Sequence, residues 1–141
     1  MLLLDSDVEK ALRQVRELAR DGSAEDIRVF FQNLDILTIE WEALLKSNLK
    51  AMPWQLQYRA LARYFIDRYW LQAVADYDLV GRVKLAVVSC LMIKMMGGDL
   101  RAAQLYSKEI ENSIDNVEAI LDGAYTSPAL ADIHLLDLLL K

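Results

Sequence analysis

The stretch that most limits what this chain can fold into is residues 79–96, "LVGRVKLAVVSCLMIKMM". Wound as a helix, at roughly 100° per residue, it is apolar almost all the way round, whereas a surface helix keeps one polar face. Such a helix has to be enclosed. A membrane span needs about 20 mainly apolar residues, and here Arg82, Lys84 and Lys94 interrupt a shorter run. Enclosure by other helices is the remaining solution, so 79–96 is expected as the central helix of a bundle, closed by Gly97-Gly98.

The rest of the chain supplies the surrounding helices. "SDVE" at 6–9 has the form of a capping box, with Ser6 as N-cap and Glu9 reaching back. The helix it opens carries Val8, Leu12, Val15 and Leu18 inward and should stop at Gly22. Ser23 caps a second helix through Ile27, Phe30, Phe31 and Leu34, and Thr38 starts a third, with Trp41, Leu44 and Leu45 inward. Pro53 suits the first turn of a long helix running to about residue 75, with a hinge point near Asn48–Pro53. Asp99 caps a helix expected to continue to Gly123, and Ser127-Pro128 reads as an N-cap with an N1 proline ahead of "ALADIHLLDLLL". No run alternates at period two. The expectation is one all-α domain over 1–141, a compact bundle of about seven helices around 79–96.

Composition agrees and narrows the function classes. A chain of 141 residues, 55% apolar, with five glycines and two prolines, buries roughly 68–70% of its unfolded surface without a disulfide or metal. Its one cysteine, Cys90, permits neither a disulfide framework nor a CxxC metal site, and a reducing, cytoplasmic setting is expected. "MLLL" runs straight into Asp5 and Asp7 and lacks the basic flank of a secretion signal. The net charge of −5, with basic residues interleaved among acids, speaks against nucleic acid as a partner. Arg59, Arg63 and Asp67 read as a solvated helix edge.

The familiar chemical signatures are missing. Gly97-Gly98 lacks the spacing of a phosphate loop. His134, the sole histidine, lies between Asp132 and Asp137 with no recognisable nucleophile. Cys90 in "VVSCLMI" reads as an inert buried thiol, and Met92, Met95 and Met96 as core filling. No catalytic residue and no metal ligand is assigned.

One polar constellation stands out. In "LYSKEIENSIDN" (105–116), Tyr106, Ile110, Ile114, Val117 and Leu121 form an apolar arc, while Glu109, Asn112, Ser113 and Asn116 form a polar stripe bounded by Leu105 and Ile120. Arg68 falls on an apolar arc of its helix, and Arg82 and Ser89 share a side of the next. A guanidinium drawn between helices needs an acid, because an unpaired buried charge costs several kcal/mol. The expectation is a packed seam in which Arg68 or Arg82 pairs with Glu109 or Glu111, and Ser89, Ser113 and Asn116 complete the hydrogen bonds. Asn112 belongs to the same stripe.

Three segments, "NLDILTIEWEALL", "ARYFIDRYWLQAVADYDLVGRVKLAVVSCLMI" and "LYSKEIENSIDNVEAILD", resemble in order the C-terminal helical part of the flagellin lysine-N-methylase family. The likeness spans most of residues 33–140. The family carries a histidine at the place of Asn112 and an acidic residue at that of Ile114, so any role of that histidine is unfilled here. It also has an N-terminal cysteine-rich region, thought to hold a metal centre, to which nothing here corresponds. The resemblance implies that this chain is the C-terminal portion of an S-adenosylmethionine-dependent protein-lysine methyltransferase. It would support substrate binding or the catalytic part, without a cofactor of its own, and its partner would be flagellin or the cysteine-rich region. The alternative is a free-standing protein–protein interaction module that uses an exposed apolar face of the first helix or of "LLDLLL". A third reading, a small enzyme, requires a concave pocket with perturbed titratable groups.

Overall fold

The computed structural model describes residues 2–47 and 56–140, with side chains from 6 and from 58. Eight α-helices occur among them: α1 (Leu2–Leu18), α2 (Ala24–Gln32), α3 (Ile39–Lys46), α4 (Leu56–Asp76), α5 (Leu79–Met95), α6 (Leu100–Tyr106), α7 (Ile114–Thr126) and α8 (Asp132–Leu140). A π-helical turn, Ser107–Glu111, follows α6, and a 3-10 turn, Pro128–Leu130, precedes α8. No strand occurs in the described residues. The all-α bundle is as expected, and α5 is its axis. Residues 84–96 are buried apart from the half-buried Val87, and α2, α4, α6, α7 and α8 pack against this helix.

Local signals set most boundaries. The side chains of Ser23, Thr38, Asp78, Asp99 and Ser113 accept the N–H two or three residues on, as N-caps do. At the far end of α5, Gly97 and Gly98 take φ of 107° and 69°, conformations that stop the helix and favour glycine. Both lysines of α5 are buried; Lys84 Nζ donates to the Ala124 carbonyl at 2.5 Å and pairs with Asp132 at 2.8 Å. This is how cations on a nearly enclosed helix are accommodated. Among the described residues no helix is long and apolar enough to cross a membrane.

Five expectations about the elements need correction, the first being the inward face of α1: Val8, Leu12 and Leu18 are exposed and Val15 only half-buried. Helix α1 begins at Leu2, so Ser6 is an exposed residue within it and no capping box opens it; the leucines before Ser6 are good helix formers, and the helix runs back through them. It ends at Leu18, ahead of Gly22, which instead lies against α8 and donates its N–H to Asp137 at 2.7 Å. The helix opened by Asp99 does not reach Gly123 unbroken, because the π turn and the Ser113 cap divide it. Ile114 consequently leaves the apolar arc and is 75% exposed. Ser127 makes no side-chain cap, and Pro128 opens the 3-10 turn while α8 starts at Asp132. Pro53 and the suggested hinge at Asn48–Pro53 lie outside the described residues.

At Gly98 a Cβ would strike the ring and hydroxyl of the buried Tyr58. With its positive φ, Gly98→Ala is expected to lower stability by about 1–3 kcal/mol, measured as a shift in the urea midpoint at unchanged slope.

Candidate functional site

The stripe in 105–116 is not one surface. A π turn holds an extra residue, here through Asn112 N–H donating to the Ser107 carbonyl at 3.1 Å, and such turns recur at functional positions. Its effect is to keep Ile110 in the core while Glu109 and Glu111, on either side of it, are both covered. The two carboxylates face different neighbours. The polar residues therefore sort into separate groups.

Glu109 is fully buried and accepts the Leu37 N–H at 2.9 Å and the Thr38 hydroxyl. That hydroxyl also caps α3 by accepting the Trp41 N–H at 3.2 Å. Asn116, buried beside it, accepts the Asp35 N–H at 3.0 Å and donates to the Asp35 and Glu109 carbonyls, both at 2.9 Å. Ser113 completes the group as the α7 cap, accepting the Asn116 N–H at 3.3 Å. Together they clamp the α2–α3 connection onto the π turn. Each buried donor and acceptor in the clamp finds a partner, as burial of polar groups requires.

Glu111 is the acid that meets an arginine. Arg68 Nε lies 2.7 Å from its carboxylate, and the Tyr64 hydroxyl donates to it at 3.2 Å. Arg68 also stands 5.9 Å over the Tyr69 ring. Desolvation pushes the hydroxyl of Tyr69 up to about 12, with the Glu111 charge adding to the shift. Of the expected alternatives, then, Arg68 with Glu111 is the pair that forms.

Ser89 serves a third group. Its hydroxyl shares a 2.7 Å hydrogen bond with the Tyr106 hydroxyl and donates to the Leu85 carbonyl, also at 2.7 Å. Phe31, Trp41 and Phe65 surround the Tyr106 ring at centroid distances of 6.0–6.1 Å. Burial drives the Tyr106 hydroxyl well above its usual value, against the opposing effect of the hydrogen bond it shares with Ser89. This aromatic cluster joins α2, α3, α4 and α6 over α5.

Two expected members of the seam are elsewhere. Arg82 meets neither Glu109 nor Glu111; it pairs with Asp76 at 2.8 Å across the α4–α5 corner, where that carboxylate is nearest. Asn112 is exposed at the end of the π turn. His134 is structural as well, its Nδ1 standing 2.8 Å from the Arg20 carbonyl and tying the α1–α2 link to α8. Among the described residues, no group of three or more His, Cys, Asp or Glu side chains is placed to hold a metal.

A second candidate region is apolar. Tyr58, Ala62 and Ile66 of α4, Val83, Ala86, Val87 and Cys90 of α5, and Leu139 of α8 line a hollow of about 380 Å³. Another of about 390 Å³ adjoins it through Val83, Val87 and Leu139 and extends along α8 to Leu135, Leu136 and Asp132. The two form one groove on the only stretch of α5 that its sheath leaves partly open among the described residues, with Val83 49% exposed. Cys90 lies at its floor, its thiol pushed up to about 12 by burial, so it stays protonated and unreactive at neutral pH.

Comparison of the chain with protein families, with characterised proteins and with solved structures returned no match in any of the three.

Truncating the clamp has a calculable consequence. Glu109→Ala leaves the Leu37 N–H and the Thr38 hydroxyl without their acceptor, each worth about 1–3 kcal/mol. Glu109→Gln, which keeps an acceptor oxygen, should cost less; urea unfolding measures both, and limited proteolysis between residues 33 and 38 should accelerate in the alanine variant. Alkaline pH acts on other groups. Tyr69 and Cys90 keep their protons to about 12 in the folded chain, whereas their ordinary values are 10.0 and 9.0. The unfolded chain therefore releases these protons first. Their contribution to stability is complete below about pH 9 and is lost as pH rises towards about 12. Denaturant titrations across that window should show falling stability, with a shallower fall in Tyr69→Phe and Cys90→Ala.

Proposed function

We propose that this chain is a helical docking domain that takes a partner helix into the α4–α5–α8 groove. In line with its resemblance to the C-terminal part of flagellin lysine-N-methylases, it serves as the accessory portion of an S-adenosylmethionine-dependent protein-lysine methyltransferase. The observation that carries the docking reading is the groove itself. From Leu79 to Cys90 it follows α5 for about 16 Å, or three helical turns, and an amphipathic helix presents its apolar face at i, i+3, i+4 and i+7 over that length. The rim is polar, with Arg59 near one end and the Lys84–Asp132 pair at the other, as at interfaces with an apolar centre.

The polar groups argue for the accessory role. Glu109, Asn116 and Glu111, the acidic and amide groups deepest in the bundle, are each engaged in holding two elements together. Their geometry is that of a scaffold. In this reading methyl transfer is supplied by the cysteine-rich part, with the groove receiving a helix of that part or of flagellin. A free-standing interaction module rests on the same groove and differs in having no such upstream partner in its reading frame.

The reading is tested by calorimetry and reconstitution. S-adenosylmethionine titrated into the isolated chain should give no binding heat, and lysine methylation of flagellin by the cysteine-rich portion should depend on adding this chain. Val83→Glu, at a half-exposed position, should reduce that methylation at least about tenfold while leaving helicity unchanged. Micromolar binding of the methyl donor by the isolated chain, or methylation indifferent to its presence, would overturn the accessory role.

A further inference from the structure

The outer face of α4 remains largely unused by the bundle and by the groove. Arg63, Asp67, Trp70 and Val74 recur along it at alternating intervals of four and three, the repeat by which one helix packs along another, and Tyr77 follows just past its end. Trp70, Val74 and Tyr77 are 54%, 61% and 92% exposed, and Leu71 beside them is 75% exposed. Tyr77 gives an independent sign. Its φ of 58° places it in the left-handed region, where a bulky side chain is a rare outlier and Gly or Asn the ordinary choice. The conformation itself turns the chain from α4 into α5, but the almost fully exposed ring adds little to the packing of the monomer at a place where glycine or asparagine would serve.

We infer that α4 is a homodimer interface, pairing antiparallel with α4 of a second copy. The stripe is self-complementary: a two-fold near Gln72 sets Trp70 of one copy against Val74 of the other, and the symmetry repeats the contact. Charge fixes the direction. Arg59 and Arg63 lie towards the start of α4, whereas Asp76 and Asp78 mark its end at the α4–α5 corner. Antiparallel pairing brings Arg63 of each copy towards this corner of the other, where Asp76 and Asp78 outnumber the one arginine, Arg82, that pairs with Asp76; parallel pairing would set arginine against arginine. The single ion pair Arg63 makes within its own copy, to Asp67 at 3.8 Å, is long and exposed, so the guanidinium turns to a new partner at little cost. In size, Trp70 and Tyr77 offer aromatic surfaces of about 150–250 Å² each. With Leu71 and Val74 they make up much of the roughly 800 Å² per partner that a stable interface buries.

Sedimentation velocity of the full chain from about 1 to about 200 μM tests this. A monomer–dimer equilibrium is expected, weakened by added salt. Trp70→Glu should raise the dimer Kd at least about thirtyfold, and Arg63→Glu about tenfold, with unchanged helicity. Tyr77→Asn should weaken the dimer while raising the melting temperature of the dilute monomer, a pairing of effects that a purely structural tyrosine would not give. A chain that stays monomeric throughout the range overturns the inference. So does a dimer that survives Trp70→Glu and Arg63→Glu, or one that is lost only in the groove variant Val83→Glu.

Discussion

A helix that is apolar around its circumference cannot share a boundary with water, and α5 imposes that constraint on the rest of the chain. Its residues 84–96 lie almost entirely within the sheath formed by α2, α4, α6, α7 and α8. Everything else is arranged for this enclosure. Five helices lay apolar side chains against α5, the glycine pair stops it, and Lys84 is held by the Ala124 carbonyl and Asp132. The enclosure is incomplete along Val83 and Val87, and the groove there is the direct geometric result.

Enclosing one helix with several short ones multiplies connections, and connections carry backbone groups that burial would leave unpaired. The π turn answers this. By holding one residue more than an α turn, it places Glu109 and Glu111 on opposite sides of Ile110, one to bind the α2–α3 connection and the other to meet Arg68. Asn116 and Thr38 add hydrogen bonds that link segments 71 to 81 residues apart. The polar groups inside this bundle thus specify which helices neighbour one another, and the aromatic cluster around Tyr106 supplies the packing. Among the apolar surfaces they leave outside are the groove along α5 and the outer face of α4. Their shapes suit different partners.

Much of the fold was legible in the sequence because its signals are local. The caps at Ser23, Thr38 and Asp99 act within one turn, as does the glycine stop after α5, and the all-round apolar run announces a central helix by itself. The same locality misleads where a distant contact wins. At Ser6 two local signals compete, and the helix propensity of the preceding leucines prevails over the capping box. Ile114 fits the apolar arc of an unbroken helix, yet Ser113 starts a new one because Asn116 and Glu109 are drawn towards a connection some 70 or more residues earlier in the chain. That Arg68 or Arg82 would meet Glu109 or Glu111 was readable from helix faces, but not that the pair would be Arg68 with Glu111. The departure of Arg82 to Asp76 was not readable either, since both arginines present the same pattern and only the turn at Tyr77–Asp78 brings an acid within 2.8 Å of one of them.

The sequence by itself determined an all-α chain with one enclosed helix, the caps at Ser23, Thr38 and Asp99, the glycine stop after α5, and the presence of polar residues too enclosed to be plain surface. These follow from periodicity and from groups a few residues apart. Tertiary structure alone decided which of those polar residues meet, that Glu109 clamps a connection instead of pairing with an arginine, and where the sheath stays open. Those outcomes depend on the relative placement of helices far apart in the chain, and side-chain spacing along any one helix carries no record of it.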